Sequence, residues 1–169
     1  MVIDLHSLAG RIPQELRVRT LADDNLERTV AFQNQFATPS QWLSLAAERH
    51  RHATSPEPLR LTLMVEAMDD LVAVGTTSDG GLMRSPDGSW RLSIRVVPAW
   101  RSRGVGAALL ETLEAHARER GSSRVVASAQ AADPDGARFA TAHGYRAHLP
   151  GTGAVLRSLR PRLFMKRRD

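Results

Sequence analysis

The chain reads Val96-Val97-Pro98-Ala99-Trp100-Arg101-Ser102-Arg103-Gly104-Val105-Gly106 at the point that decides its fold. Before this segment, residues 90–96 alternate apolar and polar side chains, which predicts a strand with one buried face. Pro98 ends that strand because it has no N–H to give to a ladder. After the segment, apolar side chains recur four residues apart from Val105 to Ala117, which predicts an amphipathic helix. The segment therefore joins a strand to the N-terminus of a helix.

The residue types in this loop suit an anion. At a helix N-terminus several backbone N–H groups have no partner within the helix, and the helix dipole adds positive charge there. Gly104 and Gly106 let an anion approach the backbone closely, and Arg101 and Arg103 add charge. The pattern predicts a diphosphate site, with two solvated arginines beside two turn glycines as the alternative. It is neither a Walker loop nor a dinucleotide fingerprint, since the residues that define those motifs are missing.

Strands and helices alternate around this loop. Strands are predicted at residues 16–21, 59–68, 71–77, 90–97, 124–128, from 145, and at 154–159. Helices are predicted from 24 to 36, from 38 to 51, from 105 to 120 and from 133 to 143. The order predicts one α/β domain over residues 16–159, with a mixed sheet of about seven strands and about four helices. Residues 1–15 are expected to form a loosely attached N-terminal arm, and residues 160–169 a basic C-terminal tail.

Composition narrows the class of protein. Of the 169 residues, 42% are hydrophobic and 24% are charged, as in a folded globular protein rather than a disordered chain. No apolar run is long enough to cross a bilayer, and residues 1–6 lack the pattern of a secretory signal. The absence of cysteine excludes disulfides, thiolate metal sites and a cysteine nucleophile. The histidines show no metal-ligand spacing, so no metal is expected. Without cysteines or a secretory signal pattern, a cytoplasmic location is expected.

The net charge of +5 belongs to one end of the chain. Residues 157–169 hold six basic residues and one acidic residue, whereas the other 156 residues hold 17 of each. A neutral body does not suit a nucleic-acid-binding domain, and Phe164 is the only aromatic residue in the tail. Nucleic acid is therefore not an expected partner, although the tail alone keeps that alternative open.

Two motifs make the chain resemble the GNAT acetyltransferase superfamily. The first is Arg101-x-x-Gly104-x-Gly106 after a strand that ends Val96-x-Pro98, which is the acyl-CoA signature of that superfamily. The second is the late helix at residues 137–145, Ala-Arg-Phe-Ala-Thr-Ala-His-Gly-Tyr. With the order of elements, the resemblance covers residues 16–159. It implies a mostly antiparallel sheet whose two central parallel strands splay apart and hold the pantetheine arm of acetyl-CoA between them.

The resemblance also implies which residues bind acetyl-CoA as a co-substrate. The edge of the fourth strand, at Ile94, Arg95 and Val96, would pair with pantetheine as an added strand does. The pyrophosphate would be wrapped by the loop and first helical turn, namely Arg101, Ser102, Arg103, Gly104, Val105, Gly106 and Ala107. Asp133 stands where members often have an asparagine beside pantetheine. In this chain a carboxylate therefore replaces a hydrogen-bond donor.

The catalytic groups are not assigned by the sequence. Ala140 stands where many members have the tyrosine that protonates the leaving thiolate, and Tyr145, the only tyrosine, is predicted to lie in the core. The predicted fourth strand has no carboxylate to serve as a general base. The remaining candidates are Glu66, Ser128 and Asp133, with Asp79 and Asp87 as further carboxylates.

Other conspicuous side chains are interpreted as structural. Trp42 is placed on the second helix and is predicted to pack in the core rather than to line an acceptor pocket. His116 and His143 are predicted to lie on helix surfaces or edges.

These residues together predict an N-acetyltransferase that moves an acetyl group from acetyl-CoA to an amine by direct attack. The alternative is a GNAT-like CoA-binding domain without catalytic activity, which the missing tyrosine and the missing base favour. The acceptor is left open between a small metabolite, a polyamine and a protein N-terminus. No membrane is expected, and a homodimer is an open alternative.

Overall fold

The computed structural model describes residues 5–54, 59–81, 84–128, 134–149 and 154–158. The strands are β1 Leu16–Thr20, β2 Arg60–Ala67, β3 Asp70–Ser78, β4 Trp90–Val96, β5 Arg124–Ser128, β6 Arg146–Leu149 and β7 Ala154–Ser158. The α-helices are α1 Leu5–Ala9, α2 Leu26–Asn34, α3 Leu45–Thr54, α4 Val105–Glu119 and α5 Pro134–Ala142. The strands form one mixed, mostly antiparallel sheet in the order β1-β2-β3-β4-β5-β7-β6. An α/β fold with such a sheet confirms the predicted fold class.

Different helices cover the two faces of this sheet. Leu61, Leu63 and Val65 of β2 belong to the buried core to which α4 contributes. On the opposite face, the Thr29 hydroxyl of α2 lies 3.5 Å from the Met64 sulfur. Side chains alternate between faces along a strand, so each position of the sheet can be assigned to the α4 face or the α2 face.

The register of the strands also shows which residues of β4 lie on each face of the sheet. Through β3, Ile94 lies in register with Leu63, and Arg95 lies in register with Met64. The even-numbered residues of β4 therefore face α4, and its odd-numbered residues face α2. This alternation decides what each residue of β4 can offer to the site described below.

The two central strands separate after a short paired stretch. The parallel pairing of β4 with β5 covers three residue pairs and ends where Leu92 pairs with Ala127. β4 continues to Val96 beside β3, with which it stays paired to the end. The last residues of β4 thus present an edge to the gap, as a splayed central pair requires.

The N-terminal arm is packed against the domain, so its predicted loose attachment is wrong. Leu8 of α1 is fully buried and Ile12 is nearly so, both in the main core. The Arg11 side chain pairs with Glu111 and donates to the Thr112 hydroxyl at 3.0 Å, both on α4. Apolar residues in a short segment were enough to bury it, although the segment is too short to show helical periodicity.

Two predictions about aromatic and histidine side chains are also wrong. The second predicted helix begins at Leu45 rather than at residue 38, because the chain first forms a 3₁₀ turn over Pro39–Gln41. Trp42 follows that turn and is 60% exposed instead of packing in the core. His116 is buried against the ring of Trp90, with centroids 5.7 Å apart.

No helix within the described ranges has the length and apolar character needed to cross a membrane. The same ranges contain no group of three or more His, Asp or Glu side chains that could hold a metal ion.

Asp87 ties the paired ends of β4 and β5 together. Its carboxylate accepts from the Ser89 backbone N–H at 3.0 Å and lies 3.4 Å from the Arg124 guanidinium. Hydrogen bonds from the Ser89 side chain and backbone lower the pKa of Asp87 from 3.8 to about 2. A carboxyl group whose pKa is lower in the folded state stabilises the fold at pH values above its pKa in the unfolded state. This stabilisation is lost as pH falls through the pKa of the folded state.

We therefore expect Asp87→Asn to lower the melting temperature at pH 7. The difference between the wild-type protein and the variant should narrow as pH falls from about 4 towards 2, because the wild-type carboxyl then becomes neutral as well. Thermal unfolding, followed by circular dichroism across this pH range, measures the difference in melting temperature between the two proteins. A difference that stays constant with pH would contradict the role given to this carboxylate.

Candidate functional site

A cavity of about 820 Å³ opens where β4 and β5 separate. It is bounded by the end of β4, by the loop and first turn of α4, and by α5. The residues predicted to hold the co-substrate that line it are Ile94, Arg95, Val96, Arg101, Ser102, Gly104, Gly106 and Ala107. Eight of the ten residues that the sequence and the resemblance assign to the co-substrate therefore line one cavity.

The gap side of β4 offers two backbone carbonyls. The Val97 N–H donates to the Val72 carbonyl of β3 at 2.9 Å, so alternate residues before it also turn their backbone groups to β3. The backbone of Arg95 is therefore paired within the sheet, and the edge is supplied by Ile94 and Val96. In the structure, the Ile94 carbonyl accepts from Arg95 Nη1 and the Val96 carbonyl from Arg101 Nε, each at 3.1 Å.

The loop into α4 has an unusual backbone. Ser102 has φ of 58° and Gly104 has φ of 84°, in a region that residues with a Cβ seldom adopt. The helix begins where the Ala108 N–H donates to the Gly104 carbonyl at 3.0 Å. The helix itself offers no acceptor to the N–H groups of residues 104–107, so these donors suit an anion at the positive end of the dipole.

The two arginines of the loop are held differently. Besides its contact with Val96, Arg101 reaches Asp135 at the start of α5, with Nη1 3.4 Å from the carboxylate. The Arg103 guanidinium lies 4.8 Å from the centre of the Trp100 ring and is not among the residues that line the cavity. Val105 is buried beneath the loop. Of the two arginines of the loop, Arg101 is therefore the one that borders the cavity.

Gly106 leaves a narrow passage between α4 and α5. A Cβ at this position would lie 3.3 Å from the Phe139 ring and 3.9 Å from the Val96 side chain. A side chain here would fill the space between the opened edge and α5. Glycine in the first turn thus keeps open the route along which an extended chain could lie.

The α5 wall contains the position that lacks a tyrosine. Ala140 lines the cavity and offers no hydroxyl to it. Tyr145 is buried, as predicted, and donates to Glu114 Oε1 at 2.8 Å. His143 also lines the cavity; its Nδ1 lies 2.8 Å from the Phe139 carbonyl, and its ring packs on Phe139 with centroids 4.2 Å apart.

The candidate general bases are not brought together in the cavity. Glu66 lies on the α2 face of β2, paired with Arg28 at 2.7 Å, and does not line the cavity. Asp79 pairs with Arg84, and Asp87 lies at the other end of β4. Burial of Glu66 reflects this ion pair rather than a catalytic environment. Ser128 is the last residue of β5, and Asp133 lies outside the described residues.

Sequence reasoning missed several residues that line the cavity. Phe36 comes from the chain just beyond α2, Asp135 and Arg138 come from α5, and His143 directly follows α5. The second motif places this helix near the site, but it predicts His143 at a helix surface or edge and assigns Asp135 and Arg138 no role in the site. For Phe36 no sequence signal was available, because its approach depends on how α2 packs across the sheet.

The comparisons with known proteins agree with this geometry. A model of the GNAT acetyltransferase family matches residues 25–145. The GNAT domain of S. lividans PAT is 27% identical with a TM-score of 0.65, over 85% of this chain and 90% of that one. The Salmonella typhimurium protein yncA, whose structure contains its cofactor acetyl-CoA, is 19% identical with a TM-score of 0.65, over 86% and 95%.

A third solved structure, the ribosomal-protein-S18-alanine N-acetyltransferase from Escherichia coli, is 18% identical with a TM-score of 0.57, over 83% and 90%. No curated protein sequence matches this chain. The family model spans most of the chain, including the opened edge of β4, the loop into α4 and α5. This protein belongs to the GNAT acetyltransferase family.

Proposed function

We propose that this protein is an N-acetyltransferase that moves the acetyl group of acetyl-CoA to an amine acceptor. The observation that carries the proposal is that one cavity joins an opened strand edge to the N-terminus of α4. The edge can pair with the amides of a pantetheine chain, and the helix terminus can hold a diphosphate. The neighbouring structure that contains acetyl-CoA supports this co-substrate.

The residues present fit this co-substrate. The carbonyls of Ile94 and Val96 face the gap, and Gly106 keeps clear a space that a Cβ would fill. The backbone N–H groups of the first turn of α4, with Arg101 beside them, would hold the pyrophosphate. Acetyl-CoA supplies an acetyl group activated as a thioester.

The transfer needs no covalent enzyme intermediate. The amine lone pair attacks the thioester carbonyl carbon, the C–N bond forms, and the C–S bond breaks to release the CoA thiolate. The edge of β4 orients the two reactants, and a backbone N–H near Val96 would polarise the carbonyl. The acceptor nitrogen loses one proton in the process.

Proton transfer proceeds without a tyrosine at position 140. A thiol has a pKa of about 8.5, so the thiolate is a good leaving group that needs less acid assistance than an alkoxide. His143 carries the only imidazole among the described lining residues. We infer that His143 or water accepts the proton of the amine.

The test is thiol release from acetyl-CoA by the purified protein with a panel of amines, with products identified by mass spectrometry. We expect release above the hydrolysis background for at least one acceptor class, and rates that rise with pH as the amine deprotonates. The alternative, a CoA-binding domain without activity, requires that acetyl-CoA binds in calorimetry while no acceptor releases thiol. That pair of results would overturn the proposed function.

A further inference from the structure

The segment before β1 is anchored to α4 by buried apolar side chains. Leu8 of α1 is fully buried, Ile12 is nearly so, and both share one core with Val105 and Leu109 of α4. Removing these side chains from water favours the docked position of the segment. The docked arm, defined here as residues 5–12, therefore packs on the helix whose N-terminus borders the cavity.

The end of this docked arm contacts both α4 and the loop before it. The Arg11 guanidinium pairs with Glu111 and donates to the Thr112 hydroxyl at 3.0 Å. The backbone carbonyl of Arg11 lies against Gly104, since a Cβ on that glycine would be 3.6 Å from the carbonyl oxygen. One residue of the arm thus connects the body of α4 with the loop that is proposed to hold the pyrophosphate.

The loop has a backbone that needs support from its surroundings. Ser102, which carries a Cβ, has φ of 58°, and Gly104 has φ of 84°. A residue with a side chain is strained in this region, and such a conformation persists where the structure around it holds it in place. The Arg11 carbonyl against Gly104, and the burial of Val105 in the core that the arm shares, are contacts of this kind.

We propose that docking of the arm and binding of acetyl-CoA are coupled. The docked arm holds residues 102–104 in the conformation that presents the N–H groups of α4, and a bound pyrophosphate holds the arm in its docked position. The inference rests on the proposed binding of acetyl-CoA and adds a means of regulating it. No residue of the arm is among the described residues that line the cavity, so Leu8, Arg11 and Ile12 are positioning residues.

Such coupling is reciprocal. The factor by which docking of the arm strengthens acetyl-CoA binding equals the factor by which acetyl-CoA strengthens docking of the arm. If the arm undocks in a fraction of the molecules, the apparent affinity falls with the fraction that stays competent to bind. Displacement of the arm would therefore weaken binding without any change in the residues of the cavity.

The first experiment compares two buried leucines. Leu8→Ala removes apolar contacts of the arm, whereas Leu26→Ala removes them from α2, outside the core that the arm shares. Both variants should lose stability. We expect only Leu8→Ala to weaken acetyl-CoA binding in isothermal titration calorimetry, by about tenfold, which corresponds to a competent loop in about a tenth of the molecules. Ile12→Val removes a single methyl group and should shift the affinity in the same direction by a smaller factor.

The second experiment uses the wild-type protein, so it does not depend on a variant that folds. The N–H groups of Gly10 and Arg11 each donate to a carbonyl of α1 at 3.0 Å, and their hydrogen exchange reports opening of the arm. Saturating acetyl-CoA should slow exchange at these two amides by at least the factor in affinity that Leu8→Ala loses. The Gly121 N–H at the other end of α4 also donates to a carbonyl at 3.0 Å, and its exchange should change little.

The outcomes separate this coupling from the function on which it rests. Wild-type affinity in Leu8→Ala, or arm amides whose exchange acetyl-CoA does not slow, would overturn the coupling and leave acetyl-CoA binding standing. Equal losses of affinity in Leu8→Ala and Leu26→Ala would assign the effect to general loss of stability and would overturn it as well. A wild-type protein that does not bind acetyl-CoA would instead remove the proposed function.

Discussion

Replacing Gly104 with glutamate should reduce the affinity for acetyl-CoA by more than about a hundredfold, because like charges brought together at an interface cost several kcal/mol. The new carboxylate would lie at the N-terminus of α4, where the backbone donors and the dipole favour an anion. It would occupy donors that the pyrophosphate needs and would repel the phosphates as well. Isothermal titration calorimetry with acetyl-CoA measures the loss.

The matched control is Gly121→Glu at the other end of the same helix. Gly104 and Gly121 have nearly the same φ, 84° and 85°, so a side chain costs a similar strain of about 1–2 kcal/mol at either position. Gly121 has open space around it and lies far along the helix from the loop. Gly121→Glu should therefore lower stability while acetyl-CoA affinity stays at the wild-type value. A folded Gly104→Glu protein that binds acetyl-CoA with wild-type affinity would contradict the assignment of the pyrophosphate to this loop.

Shortening Leu113 should cause a large loss of stability. Leu113 is fully buried on α4, and its Cδ1 lies 2.8 Å from where a Cβ on Gly75 of β3 would be. Leu113→Ala removes core volume and leaves a cavity, which costs about 2–5 kcal/mol of unfolding free energy. Urea denaturation gives this value, and an unchanged slope would show that the unfolded state is the same.

The close contact between Gly75 and Leu113 allows a second test of this packing. In the wild-type protein, Gly75→Ala forces Leu113 to move, and overpacking of this kind costs about 1–3 kcal/mol. In the Leu113→Ala background the added methyl group enters the vacated space, so the double variant should be more stable than the sum of the single effects predicts. Strict additivity would show that α4 and β3 do not pack at this point as described.

The sequence allowed the loop at residues 96–106 to be predicted because its signals are local. A strand period, a proline, two glycines and a helical period follow one another without interruption, and each acts within a few residues. The bounds of α4 and the left-handed Gly121 at its end are confirmed. Eight predicted co-substrate residues meet in one cavity for the same reason, since one loop carries most of them.

The features that were missed depend on contacts between distant segments. The usual burial of tryptophan predicts a core position for Trp42, but the 3₁₀ turn at Pro39–Gln41 directs the chain outwards and leaves Trp42 exposed. The resemblance predicts Arg95 as an edge residue beside Ile94 and Val96, whereas strand pairing turns its backbone to β3, and its side chain lines the cavity. Such outcomes follow from register and packing, which a single sequence does not specify.

The arginine contacts along β4 have a thermodynamic consequence. Guanidinium groups already donate one hydrogen bond to each of the carbonyls of Ile94 and Val96 in the structure. A pantetheine chain that takes the place of these donors exchanges one set of hydrogen bonds for another, and the total number hardly changes. Exchange at constant bond number contributes little free energy. We therefore expect most of the binding free energy of acetyl-CoA to come from its nucleotide end. The strand edge then determines the position of the thioester and adds little to the affinity.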